Sequence, residues 1–212
     1  MARCAPRAIL PRCSPKESRL ARYRQASDEV RDAIASRFWN EERGHLLRML
    51  SVGPDGKLGT DSPDCFVVDS AATAAFQFGV LRADDPRLVA TMEKIKAKLW
   101  VNTDVGGIAR YERDTYQQVE HVDFARVPGN PWFICTLWLA DWMIARARSR
   151  TELAAARELL MWVAKRALPS GLLAEQVDPY SGAPLSVSPL TWSHATFIST
   201  AESYLSAFGR LS

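Results

Sequence analysis

The 212-residue chain is poor in the residues that hold metals: it has three histidines and four cysteines. His45, His121 and Asp123 supply only two ligand types, with no third imidazole placed to join them, so no metal centre is expected. Cys4, Cys13, Cys65 and Cys135 share no metal-ligand spacing. The last two lie inside apolar segments and read as buried free thiols; a Cys4–Cys13 disulfide would staple a segment that has no core. Long apolar runs are also lacking. Stretches such as Cys135 to Ala140 are broken by Asp or Arg far short of the roughly 20 residues a bilayer requires. After Arg3 and Arg7, the run Ala8 to Leu10 is too short for the core of a secretory signal, which points to a cytoplasmic protein. Neither sign of charge dominates. There are 27 basic against 24 acidic residues, a formal +3, and no long basic run outside the N-terminus, so a nucleic-acid partner is not indicated. Strand-length alternation is absent as well. The expected class is therefore all-α, and a sheet of four or more strands would tell against it.

What the sequence has in quantity is helical periodicity. Residues 1–19, rich in proline and basic side chains, read as a disordered extension, and 20–212 as one domain. Val30, Ala33, Ile34 and Phe38 mark a first amphipathic helix. Asp85 and Pro86 supply an N-cap and a first-turn proline for a helix with Leu88, Met92, Ile95 and Leu99 on one face. Ser149 to Glu152 is a capping box, followed by Leu153, Ala156, Leu160, Val163 and Ala167 until Pro169 and Gly171 stop the helix. Three segments, Val68 to Phe78, Trp132 to Arg146 and Trp192 to Phe208, are apolar on most faces and suggest helices buried on two sides. The total is six helices. Apolar helices alternating with amphipathic ones imply an inner and an outer layer, with Phe76, Trp132, Phe133, Trp138 and Phe197 expected in the core. Long Gly/Pro-rich connections, Val52 to Pro63, Val101 to Gly129 and Leu168 to Pro189, are where chemistry is expected.

Four segments of these connections carry a resemblance. They are Gly106-Gly107-Ile108-Ala109-Arg110-Tyr111-Glu112-Arg113-Asp114-Thr115-Tyr116, Gly129-Asn130-Pro131-Trp132-Phe133, Gly171-Leu172-Leu173-Ala174-Glu175-Gln176 and Leu190-Thr191-Trp192-Ser193-His194. In order and spacing they resemble glycoside hydrolase family 15, the glucoamylases and glucodextranases of the prokaryotic branch, from about Leu20 to Phe208. The resemblance implies the C-terminal half of an α/α barrel of six helical hairpins, with about six of its twelve helices present. It also implies inverting release of glucose from the non-reducing ends of α-glucans, with neither metal nor organic cofactor.

Carried over residue by residue, the resemblance makes Glu175 the general base and Arg110, Trp132 and Trp192 substrate-binding residues. The chemistry of these residue types agrees. Inverting hydrolysis needs an ionised carboxylate to activate water and a protonated one about 6.5–9.5 Å away. Arginine presents forked donors to sugar hydroxyls, and an indole packs on the apolar face of a pyranose. The competing reading of Arg110 is an ion pair with Glu112 or Asp114. Trp138, Trp142 and Trp162 read as core, and His194 as a residue that orients a loop. The family's general acid and its glucose-gripping arginine and aspartate have no counterpart before Leu20; Glu41 and Glu42 read as exposed helix-end charges. The expectation is a chain inactive alone, with a missing first-half polypeptide as a possible partner. The alternatives are a non-catalytic, glucoamylase-like regulatory protein, or trehalose as substrate.

Overall fold

The computed structural model describes residues 15–119 and 123–211. Six α-helices dominate: α1 (Pro15–Arg37), α2 (Ala74–Gln77), α3 (Pro86–Leu99), α4 (Phe133–Arg146), α5 (Arg150–Ala164) and α6 (Thr191–Arg210). Eight two-residue strands lie between them: β1 (Trp39–Asn40), β2 (His45–Leu46), β3 (Ser51–Val52), β4 (Leu58–Gly59), β5 (Ile108–Ala109), β6 (Pro131–Trp132), β7 (Gln176–Val177) and β8 (Pro184–Leu185). The all-α class stands. Among the described residues no helix is long and apolar enough to cross a membrane.

Local signals explain the best-defined helices. The Asp85 side chain accepts from the Arg87 amide, Pro86 opens α3, and Leu88, Met92, Ile95 and Leu99 are buried along one face. Each such side chain contributes about 1.5–3 kcal/mol by leaving water. Ser149 Oγ accepts from the Glu152 amide while the Glu152 carboxylate accepts from the Arg148 amide, which fastens the start of α5. α4 is the centre of the molecule. Nine of its residues are buried, and it packs against both α5 and α6. Leu153 and Ala156 of α5 and the α3 face join α4 in one core, while Phe133, Leu137, Leu160, Trp162 and Val163 form a second beneath the loop at Leu173 and Val177.

Several expectations need correction. α1 begins at Pro15, inside the stretch 1–19 read as an extension; residues 1–14, with Cys4 and Cys13, lie outside the described residues. Val30 on α1 is exposed, and only Ala33, Ile34 and Ala35 near its C-terminal end are half-buried. The helix expected over Val68 to Phe78 is a 3₁₀ turn, Ser70–Thr73, followed by the single turn of α2. Its first donors are already engaged: Val68 N–H donates to Glu112, and Ser70 N–H to the Arg110 carbonyl. Trp132 belongs to β6, and α4 starts one residue later. Phe133 and Trp132 are buried as expected, whereas Phe76, Trp138 and Phe197 are only half-buried at the margin of the core. α6 is not buried on two sides. Glu41 and Glu42 lie in the turn of the β1–β2 hairpin, exposed, and not at a helix end.

A four-stranded antiparallel sheet does occur, in the order β5-β6-β7-β8. Its register places Ile108 opposite Trp132, Trp132 opposite Gln176, and Gln176 opposite Leu185. The sheet forms no layer of the core. It clips two long connections, α3 to α4 and α5 to α6, to each other at the N-terminal end of α4, and strands of two residues have no alternation for a sequence to display.

Candidate active site

The small sheet decides where the site lies. β5 leads directly into Arg110, β6 ends on Trp132, and β7 begins one residue after Glu175, so the pairing that joins the strands brings these three stretches of chain together. Phe133 N–H donates to the Glu175 carbonyl, and Glu175 N–H to that of Val187. The start of α6 closes the group: Ser193 Oγ donates to the Ala174 carbonyl, and the Leu173 amide donates to His194 Nε2. His194 thus orients the loop that carries Glu175.

The Arg110 guanidinium lies over three aromatic rings, with Cζ 4.8 Å from Trp132, 4.8 Å from Tyr111 and 5.2 Å from Tyr116. Its Nε and Nη2 also make a two-point ion pair with Asp114, at 2.9 and 2.8 Å. Burial works to lower its pKa, but the hydrogen bonds and charge of Asp114 outweigh it and hold the guanidinium more firmly charged. The ion pair with Asp114 and the place beside Trp132 coexist. Asp69 backs this cluster. Its carboxylate accepts from the Ala71 amide and pairs with Arg48, which itself stacks on Tyr111 at 4.2 Å. Burial pushes the Asp69 carboxyl up, partly offset by those partners.

Glu175 is half-buried, and its Oε2 accepts from Ser186 Oγ and, at 3.4 Å, from Gln176 Nε2. Gln176, fully buried, accepts in turn from Asn130 Nδ2 at 2.8 Å. Asn130 also donates to the Gln117 carbonyl, and Tyr116 N–H donates to Asp114. A continuous run of polar contacts and chain therefore links Glu175 to Arg110. Trp132 is buried on its rim with its indole N–H unpartnered. Trp192, at the first turn of α6, is exposed and packs its ring 5.8 Å from Trp138. Three non-glycine residues among those described take a left-handed backbone, Arg113, Gln117 and Ser186, and all lie in these loops, as strained residues at functional sites do.

Among the described residues no group of three or more His, Cys, Asp or Glu could hold a metal; His121 lies outside them. Cys65 and Cys135 are buried free thiols, and burial pushes the Cys135 thiol up to about 12.

The family model for glycosyl hydrolases family 15 matches residues 13–202. This chain belongs to glycosyl hydrolase family 15. An uncharacterized glycosyl hydrolase of Methanocaldococcus jannaschii is 27% identical over 192 residues, 86% of this chain and 28% of that protein. A glucoamylase of a Clostridium species is 27% identical over 136 residues, 62% of this chain and 18% of that one. Among solved structures, a bacterial glucoamylase complexed with acarbose superposes with a TM-score of 0.69 at 21% identity, over 91% of this chain and 30% of that chain. A wild-type glycosidase does so at 0.64 and 22% identity, over 91% and 46%. The fold is part of the family's α/α barrel, and the chain spans less than half the length of these relatives.

The hydrogen bonds also show what reading residue types missed. Asn130 and Gln176 stood inside the motifs without a role, and Asp114 entered only as a rival explanation of Arg110. Ser186 carries no local signal, because a loop serine eleven positions from Glu175 is anonymous until β7 and β8 fold back on each other.

Proposed function

We propose that this chain carries the general base of an inverting family 15 hydrolase that releases glucose from the non-reducing ends of α-glucans. Glu175 activates the attacking water. Arg110, Trp132 and Trp192 bind the sugar, through guanidinium donors to hydroxyls and indole faces to pyranose C–H groups. The reading is supported by one observation: β5, β6 and β7 pair in register, which brings the stretches of chain carrying Arg110, Trp132 and Glu175 together although 65 positions separate Arg110 from Glu175.

The general acid is the part this chain does not supply. Inversion needs a second, protonated carboxyl about 6.5–9.5 Å from the base. The carboxylates around Arg110 and in the Glu175 loop are already engaged: Asp114 by Arg110, Glu112 by the Val68 amide, Asp69 by Ala71 N–H and Arg48, and Asp178 by the Tyr180 and Ser181 amides. The chain alone should therefore not hydrolyse glucans. The test is glucose release from maltose, maltotriose and trehalose by this chain alone and with a polypeptide carrying the first half of a family barrel, each with and without Glu175→Gln. Release that needs both halves and Glu175, with β-glucose as the first anomer seen by NMR, is the expected result. Vigorous release by the lone chain that disappears in Glu175→Gln would remove the missing-acid argument. Binding of maltotriose by the pair without turnover would favour a non-catalytic sugar-binding protein.

A further inference from the structure

Arg48 and Asp69 lie outside the four motif segments, yet both sit against the candidate site. Arg48, two residues after β2, anchors its own backbone by donating to the Cys65 carbonyl. Asp69 caps the 3₁₀ turn Ser70–Thr73: one carboxylate oxygen accepts from the Ala71 amide and the other from Arg48 Nε at 3.1 Å. The backbone around Asp69 is tied to the Arg110 loop as well. Asp69 and Tyr111 are antiparallel bridge partners, Ser70 N–H donates to the Arg110 carbonyl, and Glu112 N–H donates to that of Val68.

Tyr111 is where the two sides meet. Arg48 Cζ lies 4.2 Å and Arg110 Cζ 4.8 Å from the centre of its ring, so two guanidiniums share one aromatic. Each cation has its own carboxylate, and both carboxylates are largely buried, with the side chain of Asp69 10% exposed and that of Asp114 1%. Burial pushes the Asp69 carboxyl up, against the pull of the Ala71 amide, Arg48 and Arg110 in that order. A partly buried ion pair adds little net stability beyond the cost of its own desolvation, so this one is better explained by what it holds in place. The Arg110 guanidinium shows what that is. Its two bonds to Asp114, from Nε and Nη2, fix the planar fork along one edge and leave it free to tilt about that edge. Ring contacts set the tilt, and Nη2 also reaches the Tyr111 hydroxyl at 3.3 Å. The tilt in turn aims Nη1, which neither Asp114 nor Tyr111 engages.

We infer that Arg48 and Asp69 are positioning residues of this site: Asp69 seats Arg48 on the Tyr111 ring, and the seated ring sets the tilt of the Arg110 guanidinium about its bonds to Asp114. Neither residue touches substrate in this role. Trp132 and Tyr116 supply further ring contacts to Arg110, so loss of Arg48 loosens the guanidinium without releasing it. That Arg110 then grips a sugar rests on the proposed function; that its tilt is set through Tyr111 does not.

The experiment follows the Arg110 Nε–H by NMR in the isotope-labelled chain at mildly acid pH, with the resonance assigned by its loss in Arg110→Lys. Arg48→Met keeps an unbranched side chain and removes the cation. It should speed exchange of that proton with water by about two- to fivefold, the size of one cation–π contact, with helix content by circular dichroism unchanged. Asp69→Asn should act in the same direction, and Arg48→Lys should recover part of the protection because it keeps a cation for Asp69. In a Tyr111→Leu background, which lacks the ring, Arg48→Met should add nothing further, the double-mutant signature of a path through Tyr111. Arg82→Met, at an exposed ion pair, should change nothing. Exchange unaltered by Arg48→Met overturns the inference, as does an effect of full size in the Tyr111→Leu background, and the Arg48 variants decide the matter even where Asp69→Asn does not fold. Sugar handling is read separately, in the glucose assay with both polypeptides. There Arg48→Met should raise KM for maltotriose more than it lowers kcat. An active assembly whose KM ignores Arg48→Met overturns the positioning role, whereas an assembly that releases no glucose sinks the proposed function and leaves the exchange result standing.

Discussion

Gly107 has φ of 94°, and a Cβ placed there would lie 2.5 Å from the Trp162 ring and 2.8 Å from Pro131 Cβ. Only glycine lets β5 approach β6 and the second core this closely. Gly107→Ala combines a disfavoured backbone with overpacking against two buried rings, so it should cost more than about 2 kcal/mol. That appears as a lower urea midpoint at unchanged slope. Asp114 is the second residue on which the site's shape depends. It is buried, holds Arg110 at two points and accepts from the Tyr116 amide. Asp114→Ala leaves a cation and an amide without their acceptor. A loss of roughly 2–4 kcal/mol is expected, toward the lower end because Arg110 keeps some contact with solvent. Chemical denaturation measures it, and Asp114→Asn should recover part by keeping an acceptor oxygen.

Two elements lend themselves to direct tests. Ser149→Ala removes the N-cap of α5 and should cost about 1 kcal/mol, read as a lower melting temperature, with Ser149→Asp restoring it. The α4–α6 contact carries a pH dependence through Asp141. Burial pushes its carboxyl from an ordinary 3.8 up to about 6, with Thr200 acting the other way. Because the folded value is the higher one, the neutral form favours folding. This contribution is fully present below the ordinary value and is lost as pH rises through about 6. A shift of that size corresponds to about 3 kcal/mol as an upper bound, and partial contact with solvent reduces it to about 1–2 kcal/mol. Asp141→Asn should therefore be the more stable protein at pH 7 by that amount, and its stability should decline less between pH 4 and 7 than the parent chain's. Denaturation at several pH values checks both.

At the scale of the molecule, what stands out is the asymmetry between its two sides. α4 is enclosed by α5, α6 and the site loops, whereas α1 and the outer face of α6 carry exposed apolar side chains. On the proposed reading the chain holds one carboxylate of the catalytic pair, and losing the other forfeits general catalysis worth roughly 100- to 10,000-fold. The lone chain should release no glucose from maltotriose above the uncatalysed background, and adding Glu175→Gln should change nothing measurable in that assay. A coupled glucose oxidase readout over hours has the sensitivity to see a breach of either statement.

Much of this was legible in order and spacing. Helix starts at Asp85 and Ser149 follow from caps, because capping is chemistry between residues two or three apart. The motif around Arg110, the Gly129-Asn130-Pro131-Trp132 segment and Glu175-Gln176 point to the family because their residue types and order are themselves the signal. Only the tertiary structure decided the rest. The two-residue strands at Trp132 and Gln176 exist because distant loops meet, so no local pattern announces them. The Val68 to Phe78 segment loses its helix to amide bonds with residues 40 or more positions away. Ser186 reaches Glu175 only once β8 folds against β7, and α6, apolar on most faces, buries only the side that α4 and α5 cover, because a helix's sequence records that it has apolar faces and not which of them its neighbours reach.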